Sequence, residues 1–171
     1  MTPPSARRRL AAIVVILTLC AALVGMNAPA RGDGADPLAE RGWVWPVSPV
    51  RIVRGWEAPA HPYGPGHRGV DLAGTEVRAP ADGVVAFVGA VAGRGVLTIN
   101  HGGGLVSSFE PVVSDLAVGE HVAPGQPLAM VAEGGHTAPA TVHLGVRLDG
   151  EYVNPLRLLG GVPRAVLLPC C

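Results

Sequence analysis

Residues 83–110, GVVAFVGAVAGRGVLTINHGGGLVSSFE, decide the fold. VVAFVGA (84–90) is rich in β-formers, AGRG (92–95) is a turn, and VLTIN (96–100) is a second strand. HGGG (101–104) turns the chain again, and LVSSFE (105–110) is a third strand stopped by Pro111. Short apolar runs separated by glycine-bearing breaks are strand-turn-strand grammar.

The same grammar extends in both directions. Downstream, QPLAMV (126–131) and TVHLGVRL (141–148) each follow a Gly- or Pro-bearing break. Upstream, Val70 and Leu72 alternate within GHRGVDLAG (66–74), and WVWPVSPVRIVRGW (43–56) suits an irregular entry and an edge strand. No window after the first thirty residues has a helical period. These features predict an all-β protein, an antiparallel β-sandwich or partly open barrel. GTEVRAPADGVVAFVG (74–89) and VGEHVAPGQPLAMV (118–131) echo each other, each carrying Ala-Pro before an apolar strand. Such an echo suits a barrel-sandwich hybrid built on a duplicated motif, with halves like those of lipoyl and biotinyl carriers. A carrier role is excluded, because the chain has no lysine to hold the cofactor.

The 171 residues fit one domain with extensions, and zero net charge gives no basic footprint for nucleic acid. Abundant Gly (24) and Pro (17) leave little room for helices. Arg7, Arg8 and Arg9, an apolar run over 10–26, and Ala28-Pro29-Ala30 form a secretory leader pattern. Residues 1–30 are read as a cleaved leader, with an uncleaved membrane anchor as the alternative. The expected destination is the cell envelope or the exterior. Cys20 falls inside the apolar run after Leu19, where a lipoprotein signal needs a small residue. Residues 31–42 read as a linker, 43–160 as the β domain and 161–171 as a tail ending in Cys170 and Cys171. Adjacent cysteines are too close for ordinary disulfide geometry.

Chemistry rests on the six histidines, His61, His67, His101, His121, His136 and His143. His67 and Asp71 are four residues apart. On a flat strand they would share a face about 13 Å apart. A curl at Gly69 would bring imidazole and carboxylate together, as zinc ligands or as a hydrogen-bonded pair in a turn. His143 tips the balance toward metal. In TVHLGVRL, Val142, Leu144 and Val146 share the apolar face, while Thr141, His143 and Gly145 share the other. Two imidazoles and one carboxylate leave a fourth zinc position open, as catalytic sites do.

Taken in order, GHRGVDLAG, VRAPADGVVAFVG, LTINHGGGLVSSFEPV, VGEHVAPGQPLAMV and VHLGVRLDGEYVNPL resemble the lysostaphin-type (LytM-type) zinc endopeptidases. The resemblance covers roughly residues 43–159. It implies an exported enzyme that cuts peptide cross-links in peptidoglycan, with His67, Asp71 and His143 as Zn2+ ligands. The family pattern also has two histidines that do not bind zinc. Thr141 stands where the first histidine of H-x-H is expected, and Pro111 where a Y-x-H pattern ends. Losing a general acid or base costs about 10²–10⁴-fold.

Three residues are candidates to move protons in their place. Glu110 is a carboxylate beside Pro111, but it should point opposite to Phe109 and Pro111. Thr141 can only exchange hydrogen bonds, and His136 lies in the loop before the last strand. His61 and Tyr63 are candidate substrate contacts. His101 is read as a loop stabiliser, His121 as a surface turn residue and Arg147 as a strand flank or a carboxylate's partner. The expected function is a monomeric zinc metalloendopeptidase acting on peptidoglycan peptides. The alternative is a catalytically degenerate module that binds peptidoglycan or activates a separate cell-wall hydrolase.

Overall fold

The computed structural model describes residues 36–134 and 138–160. The expected leader with Cys20, the tail with Cys170 and Cys171, and His136 lie outside the described residues.

Among the described residues, eleven strands form two antiparallel sheets. They are β1 (Ile52–Arg54), β2 (Gly69–Ala73), β3 (Glu76–Arg78), β4 (Gly83–Val91), β5 (Arg94–Gly102), β6 (Leu105–Glu110), β7 (Val112–Val113), β8 (His121–Val122), β9 (Pro127–Val131), β10 (Thr141–Leu148) and β11 (Glu151–Val153). The large sheet runs β1-β2-β10-β6-β5-β4-β8, with β11 also on β10; the small one runs β3-β9-β7. The all-β expectation holds, and neither sheet closes into a barrel.

Alternation drives the packing. Val70 and Leu72 of β2, Leu97 and Ile99 of β5, Phe109 of β6, and Val142, Leu144 and Val146 of β10 are wholly buried. Removing a side chain of this size from water stabilises by about 1.5–3 kcal/mol. Every second residue of the same strands therefore faces away from the core. That outer face carries Asp71, His143 and Glu110.

The internal echo has a structural counterpart. β3 pairs with β9, and β8 pairs with β4. Each short strand of one phrase thus lies on the long strand of the other. The Ala79 carbonyl accepts from Gly125 N, while Ala79 N donates to the Gln126 carbonyl.

The structure departs from expectation at three places. His101 lies in β5 rather than in the turn, because Gly103 and Gly104, both at positive φ, turn the chain without it. His121 is not a turn residue but half of β8, opposite Val84, and it remains exposed. Leu38, in the stretch read as a linker, is buried in the core. Asp36 binds there, accepting from Leu38 N and from Arg157 Nε and Nη2 at 2.7 and 2.9 Å. Hydrogen bonds from Arg157 hold the Asp36 carboxyl below the usual carboxylate range.

Candidate metal centre

Two strands and one loop position the centre. β2 begins at Gly69, so His67 lies outside it, and paired backbone bonds to Glu57 fix its place. Asp71 in β2 stands directly opposite His143 in β10. Residues opposite one another in an antiparallel pair project to the same face.

The three side chains meet at one point. Asp71 Oδ1 lies 2.8 Å from His143 Nδ1 and 3.1 Å from His67 Nε2, and the two ring nitrogens are 3.1 Å apart. Among the described residues this is the group arranged to hold a metal ion. His67 and Asp71 are buried, and His143 is partly open to solvent.

The donor set favours a cation over a hydrogen-bonded turn. His67 Nδ1 is 2.6 Å from the Gly55 carbonyl, which can only accept, so this nitrogen carries the proton. A neutral His67 then aims the bare lone pair of Nε2 at the Asp71 carboxylate. A single proton, on His143 Nδ1, would have to serve both remaining acceptors, Asp71 Oδ1 and His67 Nε2. A backbone carbonyl orienting the far nitrogen of an imidazole is the usual support of a metal-ligating histidine. Tetrahedral zinc with bonds of 2.0–2.2 Å needs ligand atoms about 3.4 Å apart, close to the spacing present.

Gly69 makes room for this geometry. A Cβ built there would lie 2.5 Å from both Cε1 and Nε2 of His143 and 2.4 Å from the Leu144 carbonyl oxygen.

The other candidate residues are placed as follows. Thr141 is buried, and its hydroxyl donates to the Pro139 carbonyl at 3.3 Å. Pro111 is buried and offers only its carbonyl, which accepts from Ala132 N. Phe109 points into the core, so Glu110 points to the opposite face. The expected orientation is correct, but it brings Glu110 onto the face of His143, its partner in the ladder. Glu110 also pairs with Arg94 at 2.9 Å and raises the arginine's pKa by accepting its hydrogen bond.

His61 and Tyr63 are exposed in a loop that Arg68 holds through the Pro62 and Gly64 carbonyls, and no described contact brings them to the centre. His101 is structural: its ring nitrogens engage the Asp82 carbonyl and the Ser107 hydroxyl, and it packs against Trp43. Arg147 lies over the Tyr152 ring and donates to its hydroxyl rather than to a carboxylate. Sequence reasoning missed Gly55 and the Arg94–Glu110 pair, since nothing local marks a carbonyl or a cross-strand partner, and it missed Arg54–Glu57, three residues apart, whose meaning comes only from its place beside the centre.

One sheet face of this β domain presents two imidazoles and a carboxylate to one point, a donor set suited to a metal ion. The chain belongs to Peptidase family M23, whose profile matches residues 65–155. Over 158 residues it is 38% identical to an uncharacterized protein of Mycobacterium tuberculosis, the match covering 86% of this chain and 61% of that one. It therefore spans about three fifths of that relative's length. It is also 38% identical over 89 residues to the murein hydrolase activator EnvC of Escherichia coli, covering 51% of this chain and 21% of EnvC. The fold is shared with a zinc-containing peptidase from Vibrio cholerae, at a TM-score of 0.58 and 23% identity over 71% of this chain and 41% of that one.

Proposed function

We propose that this protein is an exported zinc-dependent endopeptidase that cuts peptide cross-links in peptidoglycan, with His67, Asp71 and His143 holding the metal. Residues 1–30 would serve as its leader and 161–171 as a tail beyond the β domain. The observation that carries the reading is the convergence of three donor atoms within 3.1 Å, with His67 Nδ1 committed to Gly55. Membership of family M23 supports the peptidase class.

Zinc would supply Lewis acidity, polarising the scissile carbonyl and activating water. The chain's own contribution begins with orientation. Gly55 sets the tautomer of His67, and Gly69 lets the His143 ring lie against β2. Of the proton-moving candidates among the described residues, Glu110 shares the face of His143, whereas Thr141 is tied to Pro139. Purified protein should hold about one zinc per chain and cleave muropeptides. His67→Ala and His143→Ala should lose both properties. Tight zinc binding with no cleavage across a broad muropeptide panel would sink the peptidase reading.

Thr141 and Pro111 favour a second reading, a degenerate module that activates another cell-wall hydrolase. The likeness to EnvC supports it. Thr141→His separates the two. Activity arising only in that variant favours the activator, and comparable activity in both proteins favours the enzyme.

A further inference from the structure

The flanks of the metal centre carry charges that metal binding leaves unused. Arg54 of β1 is opposite Asp71, Asp71 is opposite His143, and His143 is opposite Glu110 of β6. These four residues form one row across the sheet, with a cation at one end and an anion at the other. Strands lie about 4.8 Å apart, so three spacings separate the ends by about 14 Å. Arg54 feels the charge of Asp71, a smaller contribution than that of its partner Glu57.

Each end is neutralised by its own partner. Arg54 donates through Nε and Nη2 to the two Glu57 oxygens, and Arg94 pairs with Glu110. Side-chain exposure is 49% and 57% in the first pair and 28% in both members of the second. Water screens such surface ion pairs, the first more than the second, and leaves each of them weak. A ligand carrying the same charges can therefore replace either partner at little cost.

We propose that this row is a binding face for an extended peptide bearing a carboxylate and an ammonium about four residues apart, with the carboxylate on Arg54, the ammonium on Glu110 and the intervening backbone over the metal centre. The spacing follows from about 3.3–3.6 Å per extended residue across about 14 Å. The guanidinium fork suits a carboxylate, which it can grip through two hydrogen bonds. A neutral oligoglycine strand would leave both ends of the row unused. This proposal rests on the reading of the centre as one that acts on peptides, and it names their charge class.

Tetra-alanine has the required span between its free termini. The test titrates it calorimetrically into the zinc-loaded full chain, beside its N-acetylated, C-amidated and doubly capped forms. Each single cap should weaken binding about tenfold, as expected for loss of a charge-assisted hydrogen bond. Arg54→Gln should abolish the effect of amidation and keep that of acetylation, and Glu110→Gln should do the reverse. Zinc content, measured on both variants, reports that the centre is intact. Cap-insensitive binding or no binding overturns the proposal. So does an amidation effect that survives Arg54→Gln, which is the signature of a carboxylate on the metal alone. Muropeptide digestion by the wild type is read in parallel. Digestion with cap-insensitive binding removes only this inference, whereas absent digestion removes the peptidase reading whatever tetra-alanine does.

Discussion

One hydrogen atom at Gly69 controls the geometry of the candidate metal centre. Replacing it with a methyl group sets that carbon against the His143 ring and the Leu144 carbonyl oxygen. Neither neighbour is a flexible chain end. Gly69→Ala should displace the ring, lower zinc affinity at least about tenfold, and cost about 1–3 kcal/mol of stability as other overpacked sites do. Zinc titration and thermal melting of the variant measure the two effects. His101 works at the same scale in another currency, protonation. Burial pushes its pKa below the ordinary 6.5, so it stays neutral in the fold while the unfolded chain takes up a proton more readily. Its stability contribution is complete above about pH 6.5 and is lost as pH falls through the folded-state value. Melting temperature should drop as pH falls below about 6.5, and His101→Gln should flatten that portion of the profile.

Among the elements, β5 approaches β7 closely at Gly95, where there is no room for a side chain. A Cβ at Gly95 would lie 1.9 Å from the Val112 carbonyl oxygen, so Gly95→Ala should part the two sheets and lower the denaturation midpoint. Retained stability in urea unfolding would contradict this. Strands with a buried face were legible in the sequence. β6 and β10 have the expected bounds because Leu105, Ser107 and Phe109, then Val142, Leu144 and Val146, alternate into the core. β7 and β8 were not legible, since two residues cannot show a period. The partner set of the centre was legible as residue types, but its support was not. Gly55 acts through a carbonyl that any residue would offer, and Glu110 gains meaning only from its register against His143.

Across the whole molecule, the centre joins segments far apart in the chain, with His67 and His143 separated by 76 positions. A ligand that binds only the folded arrangement stabilises it, by about 2.7 kcal/mol at one hundred times its Kd. Zinc should raise the melting temperature, a chelator should reverse the rise, and His143→Ala should show no rise. The crossed pairing of the two echoing phrases has a different consequence. A cut in the connection between β7 and β8 would leave β8, β9 and β10 gripped by β4, β3, β7, β2 and β6 of the other piece. The nicked halves should co-elute in gel filtration, and separately produced halves should reconstitute on mixing. Two of the three proposed ligands, His67 and Asp71, travel with one half and His143 with its complement, so zinc uptake by the mixture would count reunited molecules.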